Sequence, residues 1–132
     1  MVALLGLVAG TLLALGYVRL ARRFSPPKER LIYTVGLGFT ALAYPVLGLV
    51  GRAGNEWLGY EAIGLVLFGL LAALGLRYSV ILAVGWATHV LWDLLLHRHG
   101  PGAAYTPGWY PWLCVSFDLI VALAILLKTS SR

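Results

Sequence analysis

The run YSVILAVGWATHVLWDLLLH, residues 78–97, decides how this chain folds. At a rise of about 1.5 Å per residue, a helix of this length crosses the ~30 Å hydrocarbon core of a bilayer. No lysine or arginine interrupts the run. Its acid and imidazole side chains are His89, Asp93 and His97, spaced at intervals of four. A helix turns about 100° per residue, so the three share one face. The stretch reads as a membrane-spanning helix with a polar stripe.

Four more apolar runs flank it, at 2–20, 31–51, 57–76 and 109–128. The composition agrees: 61% hydrophobic, 11% charged, mean hydropathy +0.87. These values lie far from the soluble norm, and 132 residues hold a single domain. The expected fold is an all-α, polytopic transmembrane bundle of about five spans over residues 1–132. The run at 57–76 is the weakest, because Glu61 lies inside it and its outer turn must reach past Trp57 and Tyr60. Pro26 and Pro27 are expected to break the first loop, and Pro45 to kink or open the second helix after Tyr44. GPGAAYTPGWYP (100–111) forms the longest connection on the opposite side. Gly6 and Gly10, and likewise Gly69 and Ala73, suit close helix packing.

Basic residues set the expected orientation. Arg19, Arg22, Arg23, Lys28, Arg30, Arg77, Lys128 and Arg132 fall on one side, leaving Arg52 and Arg98 on the other. Cytoplasmic loops hold the excess of Lys and Arg, so the N-terminus is expected outside and the C-terminus inside a multi-pass cell-membrane protein. Trp57, Tyr60, Trp109, Tyr110 and Trp112 then fall at the outer interface, and Tyr17, Tyr33 and Tyr78 at the inner one. The net charge of +5 follows topology, which points to lipid headgroups and away from nucleic acid. The first run lacks the features of a cleaved signal and reads as a retained helix. A lone cysteine, Cys114, excludes an internal disulfide.

Chemistry concentrates on the outer side. Glu56, Glu61, Asp93 and Asp118 fall there, as do His89, His97 and His99, while Glu29 is the one acid on the basic side. Charge at depth is costly, so such residues face a bundle interior or wet cavity, with partners. His89 and Asp118 each lie eight residues from an outer end, about 12 Å deep by helical rise, and are therefore level. Asp93 and Glu61 lie about one turn deep and can form a second pair. Asp118 shares its face with Cys114.

Three readings of this cluster stay open. A divalent metal (zinc, iron or manganese) is held by His89, Asp93 and Asp118, with His97 or Glu61 completing the set. The same three groups act without metal as catalytic acid and base or as a proton relay. Or a buried imidazole and carboxylate merely fix helix register. Glu61, Trp92 and Cys114 surround the centre as supporting groups. His99 reads as solvated. No P-loop, GxSxG, HExxH or CxxC motif is present, which removes support for nucleotide hydrolysis and the common proteases.

WATHVLWDLLLHRHG followed by WYPWLCVSFDLIVA resembles a family of short, uncharacterised bacterial multi-spanning membrane proteins, through the pattern HxxWDxxxH … WYPxxCxxxD over residues 85–122. The resemblance implies that the two blocks form one site and carries no activity with it. The expected role is metal-dependent or acid–base chemistry on a lipid-soluble substrate, in a pocket facing the extracytoplasmic side. A transporter or proton-coupled carrier, or a non-catalytic subunit of a membrane complex, are the alternatives, and an oligomer is compatible with each. The sequence leaves open whether the protein is an enzyme.

Overall fold

The computed structural model describes residues 1–51 and 54–130. The expected sides for Arg52 and Arg132 lie outside the described residues, as does the side chain of Glu56. Five helices account for the apolar runs: α1 (Val2–Ala21), α2 (Pro26–Val50), α3 (Glu56–Gly75), α4 (Ser79–Trp92) and α5 (Tyr110–Ser130). After Trp92, α4 continues as a π-helix through Asp93–Arg98, and a 3₁₀ turn follows at Pro101–Ala104. With that extension, each of the five is long and apolar enough to cross a membrane. The described residues contain no strand.

One boundary differs from the sequence expectation. Pro26 and Pro27 do not break the loop but open α2, five residues before residue 31. Proline suits the first helical turn, where its missing N–H has no intrahelical partner to lose and its φ is preset. At Pro45, α2 runs on uninterrupted to Val50. That proline costs one backbone bond, to the carbonyl of Ala41, and does not end the helix.

Spatial order departs from chain order. α1 packs mainly on α5, α5 on α4, α4 on α3 and α3 on α2, whereas α1 and α2 touch lightly. Gly6 and Gly10 explain the first contact. A Cβ on Gly6 would stand 2.5 Å from the Trp109 carbonyl oxygen, and one on Gly10 would collide with the Leu113 carbonyl and the Ser116 hydroxyl. Their use is therefore backbone approach within the bundle. Gly69 and Ala73 instead face outward, and nothing stands within 4 Å of a Cβ on Gly69.

The interior divides into two halves. Toward the end with the basic loops, Ala14, Leu37, Phe68, Leu82, Trp86 and Val121 make an apolar core. Toward the other end, the buried acid and imidazole side chains are His89, Asp93, His97, Glu61 and Asp118. Outward-facing residues are large and apolar, among them Leu12, Phe39, Leu49, Ile63 and Leu95. Two aromatics expected at the interfaces point inward: Trp57 is 7% exposed and packs against the bare backbone of Gly48 and the ring of Tyr105, and Tyr33 is 3% exposed.

Candidate metal centre

The polar half is built on α4. His89 and Asp93 follow each other by four residues and are both fully buried, which sets the His89 Nδ1 3.5 Å from Asp93 Oδ1. From the facing helix α5, Asp118 brings Oδ2 to 2.8 Å from the same nitrogen, the imidazole N–H donating to the carboxylate. The eight-residue depths thus place these two residues level, and the helix faces turn toward each other. Ligand atoms from His89, Asp93 and Asp118 all lie within 4.8 Å of one another.

Tyr44, from α2, completes the group. Its hydroxyl donates to Asp93 Oδ1 at 2.7 Å, and the residue is 1% exposed. The sequence reading took Tyr44 as part of a kink and missed this contact. The available signal was a phenol near the centre of an apolar run, where its O–H must find an acceptor. Phe68 covers the His89 ring edge-on, with centroids 4.6 Å apart, and Trp92 packs edge-on against Phe68. Trp92 therefore supports the wall one layer back, seated on Gly64, where a Cβ would stand 2.7 Å from the indole. Cys114 is buried one turn before Asp118, and the polar groups it meets are Tyr44 and Tyr110.

A second polar group lies above the first. His97 Nε2 and Glu61 Oε1 are 2.7 Å apart, and the Tyr105 hydroxyl donates to the same carboxylate oxygen at 2.5 Å. Asp93 and Glu61 thus do not form the expected pair; Asp93 belongs to the lower group and Glu61 to the upper. His97 is likewise held apart from the three-residue cluster. The rings of Tyr44 and His97 stack face to face at 3.3 Å and 9°, joining the layers by contact and not by a hydrogen bond. Burial and the Glu61 carboxylate push the Tyr105 phenol up from its ordinary value.

The π-helix sets this second layer. Its wider i→i+5 turn, seen in the bond from the His99 N–H to the Leu94 carbonyl at 3.0 Å, rotates less per residue than the ~100° of an α-helix. His97 consequently stays near the line of His89 where a regular helix would carry it further round. The connection folds over this end. Gly102 lies on the imidazole of His97, where a Cβ would meet Cδ2 at 2.5 Å and the Leu96 carbonyl at 2.9 Å. Tyr105, inserted beside Gly51 and Trp57, ties the same loop to α3.

Several buried polar atoms in the two layers have no hydrogen-bond partner: His89 Nε2, Asp93 Oδ2 and Asp118 Oδ1 below, His97 Nδ1 above, and Thr106 Oγ1 in the loop. Orphaned polar atoms at zero exposure are costly, about 1–3 kcal/mol each, and concentrate where a bound species supplies partners. The chemistry of the donors suits a metal. Adjacent ligands on bonds of ~2.1 Å stand about 3.0–3.4 Å apart in octahedral or tetrahedral shells. The observed separations of 2.8 and 3.5 Å from His89 Nδ1 fall close to that range. One imidazole and two carboxylates form a mixed N/O set appropriate to zinc, iron or manganese.

No curated protein and no solved structure matches the chain. The family described as "Family of unknown function (DUF6010)" matches residues 5–131, well beyond the two blocks at 85–122, and the chain belongs to that family.

Proposed function

We propose that this chain is a multi-pass membrane protein, N-terminus outside, that holds one divalent transition metal on His89, Asp93 and Asp118. The observation that carries the reading is the convergence of three fully buried ligand groups from two helices, two of them with an orphaned carboxylate oxygen. Metal would replace the proton now shared between His89 Nδ1 and Asp118, so binding tightens as pH rises. Tyr44 acts as the supporting donor that orients Asp93, the role outer hydrogen bonds play at metal centres. His97 and Glu61 form the polar layer above the site and do not hold the metal.

The substrate in this reading is lipid-soluble and enters from the side. A groove of about 280 Å³ lined by Phe39, Leu42, Ala43, Val46, Leu47 and Tyr110 opens on the apolar surface. Tyr110 meets Tyr44 edge-on at 5.6 Å, so two aromatic rings separate the groove from Asp93. A bound metal would act there as a Lewis acid toward an oxygen of the substrate. The apolar cluster between the metal site and the basic end favours an enzyme over a carrier, because a transport path has to cross it.

Elemental analysis of tag-free, detergent-purified protein tests this reading. Wild type is expected to hold close to one equivalent of zinc, iron or manganese, and Asp93→Ala and Asp118→Ala to lose it. Wild type that stays metal-free after reloading with each ion would overturn it.

A further inference from the structure

The ring of helices has an open seam. α2 packs on α3 and touches α1 and α4 lightly, so the side of α2 toward α1 and α5 is left largely uncovered. A groove of about 480 Å³ runs along it, with Leu31, Val35 and Phe39 as its wall and the rings of Tyr17, Trp86 and Phe117 as its floor. Those three rings pack on one another at centroid separations of 5.4 to 6.4 Å. Phe39 also lines the smaller groove that ends at Tyr110. Leu31, Val35, Phe39, Leu42 and Val46 follow at intervals of three or four, so both grooves lie on one face of α2. They make one strip from the basic end to the level of the metal centre.

Three features define what fills this strip. First, in the larger groove each side-chain polar group is bonded to a carbonyl. The Tyr17 hydroxyl donates to Ile32 at 2.6 Å, the Trp86 ring N–H to Tyr33 at 3.2 Å, and the Thr40 hydroxyl to Leu37 at 2.9 Å. Gly36 lets the Tyr17 hydroxyl reach across α2, because a Cβ there would collide with it. The remaining surface suits hydrocarbon. Second, the strip is long. Leu31 to Leu47 spans about 24 Å at a rise of ~1.5 Å per residue. One leaflet supplies only about half of the ~30 Å hydrocarbon core, so a phospholipid chain ends near the midplane, well short of this length. A linear polyisoprenoid continues past it. Third, the head end is uncharged. A divalent ion balances Asp93 and Asp118, and no lysine or arginine lines either groove among the described residues. An anionic head would be a buried charge without a partner, whereas an alcohol or carbonyl oxygen needs none.

We propose that this strip holds the tail of a neutral polyisoprenoid lipid, the substrate of the metal centre, with its oxygen-bearing head at Tyr110. The head placement rests on the metal reading given above, and the tail placement on the strip alone. Tyr110, edge-on to Tyr44 at 5.6 Å, is the side chain that must turn for the head to reach Asp93.

The test uses phosphatidylcholine nanodiscs containing farnesol, solanesol or solanesyl phosphate. Retention is read by native mass spectrometry, and metal content is measured on the same samples. Farnesol and solanesol share head and chain type and differ in length. Both leave lipid chains for the strip, so their difference reports packing and not hydrophobicity. Solanesol is expected to be retained about tenfold more tightly than farnesol, and solanesyl phosphate no more tightly than solanesol. Val35→Trp, which fills the strip from a lipid-exposed position, should remove the chain-length preference with metal content unchanged. Ile63→Trp, on the lipid-facing side of α3, should keep it. Wild type that lacks metal yet prefers solanesol would sink the metal reading and leave the tail assignment standing. Metal-loaded protein that retains farnesol and solanesol equally, Val35→Trp that keeps the preference, or tighter retention of solanesyl phosphate would each overturn the proposal.

Discussion

Replacing Tyr44 by phenylalanine separates a metal centre from simple helix packing. The ring stays: its stack on His97 at 3.3 Å and its edge contact with Tyr110 at 5.6 Å use carbon atoms that phenylalanine retains. No cavity opens. What is lost is the 2.7 Å bond from the hydroxyl to Asp93 Oδ1. A hydrogen bond to a buried carboxylate contributes about 1.5–3 kcal/mol, or roughly 10–100-fold in an equilibrium constant. Loss of an outer-shell donor at metal centres has the same size, about 10–100-fold in affinity. Tyr44→Phe should therefore bind zinc about 10–100-fold more weakly, measured by competition with a chromophoric chelator. Tyr105→Phe, whose hydroxyl reaches Glu61 instead, should leave zinc affinity unchanged. A folded Tyr44→Phe protein with wild-type affinity would refute the role given to this tyrosine.

Other outcomes follow from the same geometry. Gly10→Ala should weaken the α1–α5 contact by about 1–3 kcal/mol, because the new Cβ meets backbone that cannot rotate away, while Gly16→Ala, with open space around it, should be neutral in a denaturation series. Cys114→Ala should keep full metal content, since its sulfur is outside the three-residue ligand group. The raised phenol of Tyr105 gives a pH effect of defined sign. A folded-state value above the unfolded one of ~10 contributes stability that is present below pH ~10 and lost as pH rises through the folded value. In that alkaline window wild type should lose protection of the 99–109 loop against proteolysis, and Tyr105→Phe should show no such step.

The helices were legible because membrane spans are written in length and hydropathy, which tolerate errors in any single residue. The level placement of His89 and Asp118 was legible too, since a constant rise per residue converts sequence distance into depth. Local backbone choices were not. The π-helical turn at Asp93–Arg98 has no composition of its own; it goes with the stacking of His97 on Tyr44 and the close seat of Gly102 on His97, contacts that only the fold brings together. Hence Asp93 and Glu61, similar in depth, parted into separate layers. The inward packing of Trp57 was not legible for a related reason. An aromatic near a helix start suits either a lipid interface or a bare glycine surface, and Gly48 on the neighbouring helix, which decides between them, is distant in sequence. Tyr44 and Tyr105 joined the site from outside the quoted blocks, each through a partner that only the fold brings near.

Anomalous diffraction at the absorption edge of the bound metal tests the central claim most directly. The account predicts one peak, about 2 Å from His89 Nδ1 and from an oxygen of each of Asp93 and Asp118, with the ~2.0–2.2 Å bonds of nitrogen and oxygen ligands. Absence of a peak in metal-loaded crystals, or a peak between His97 and Glu61 instead, would contradict it.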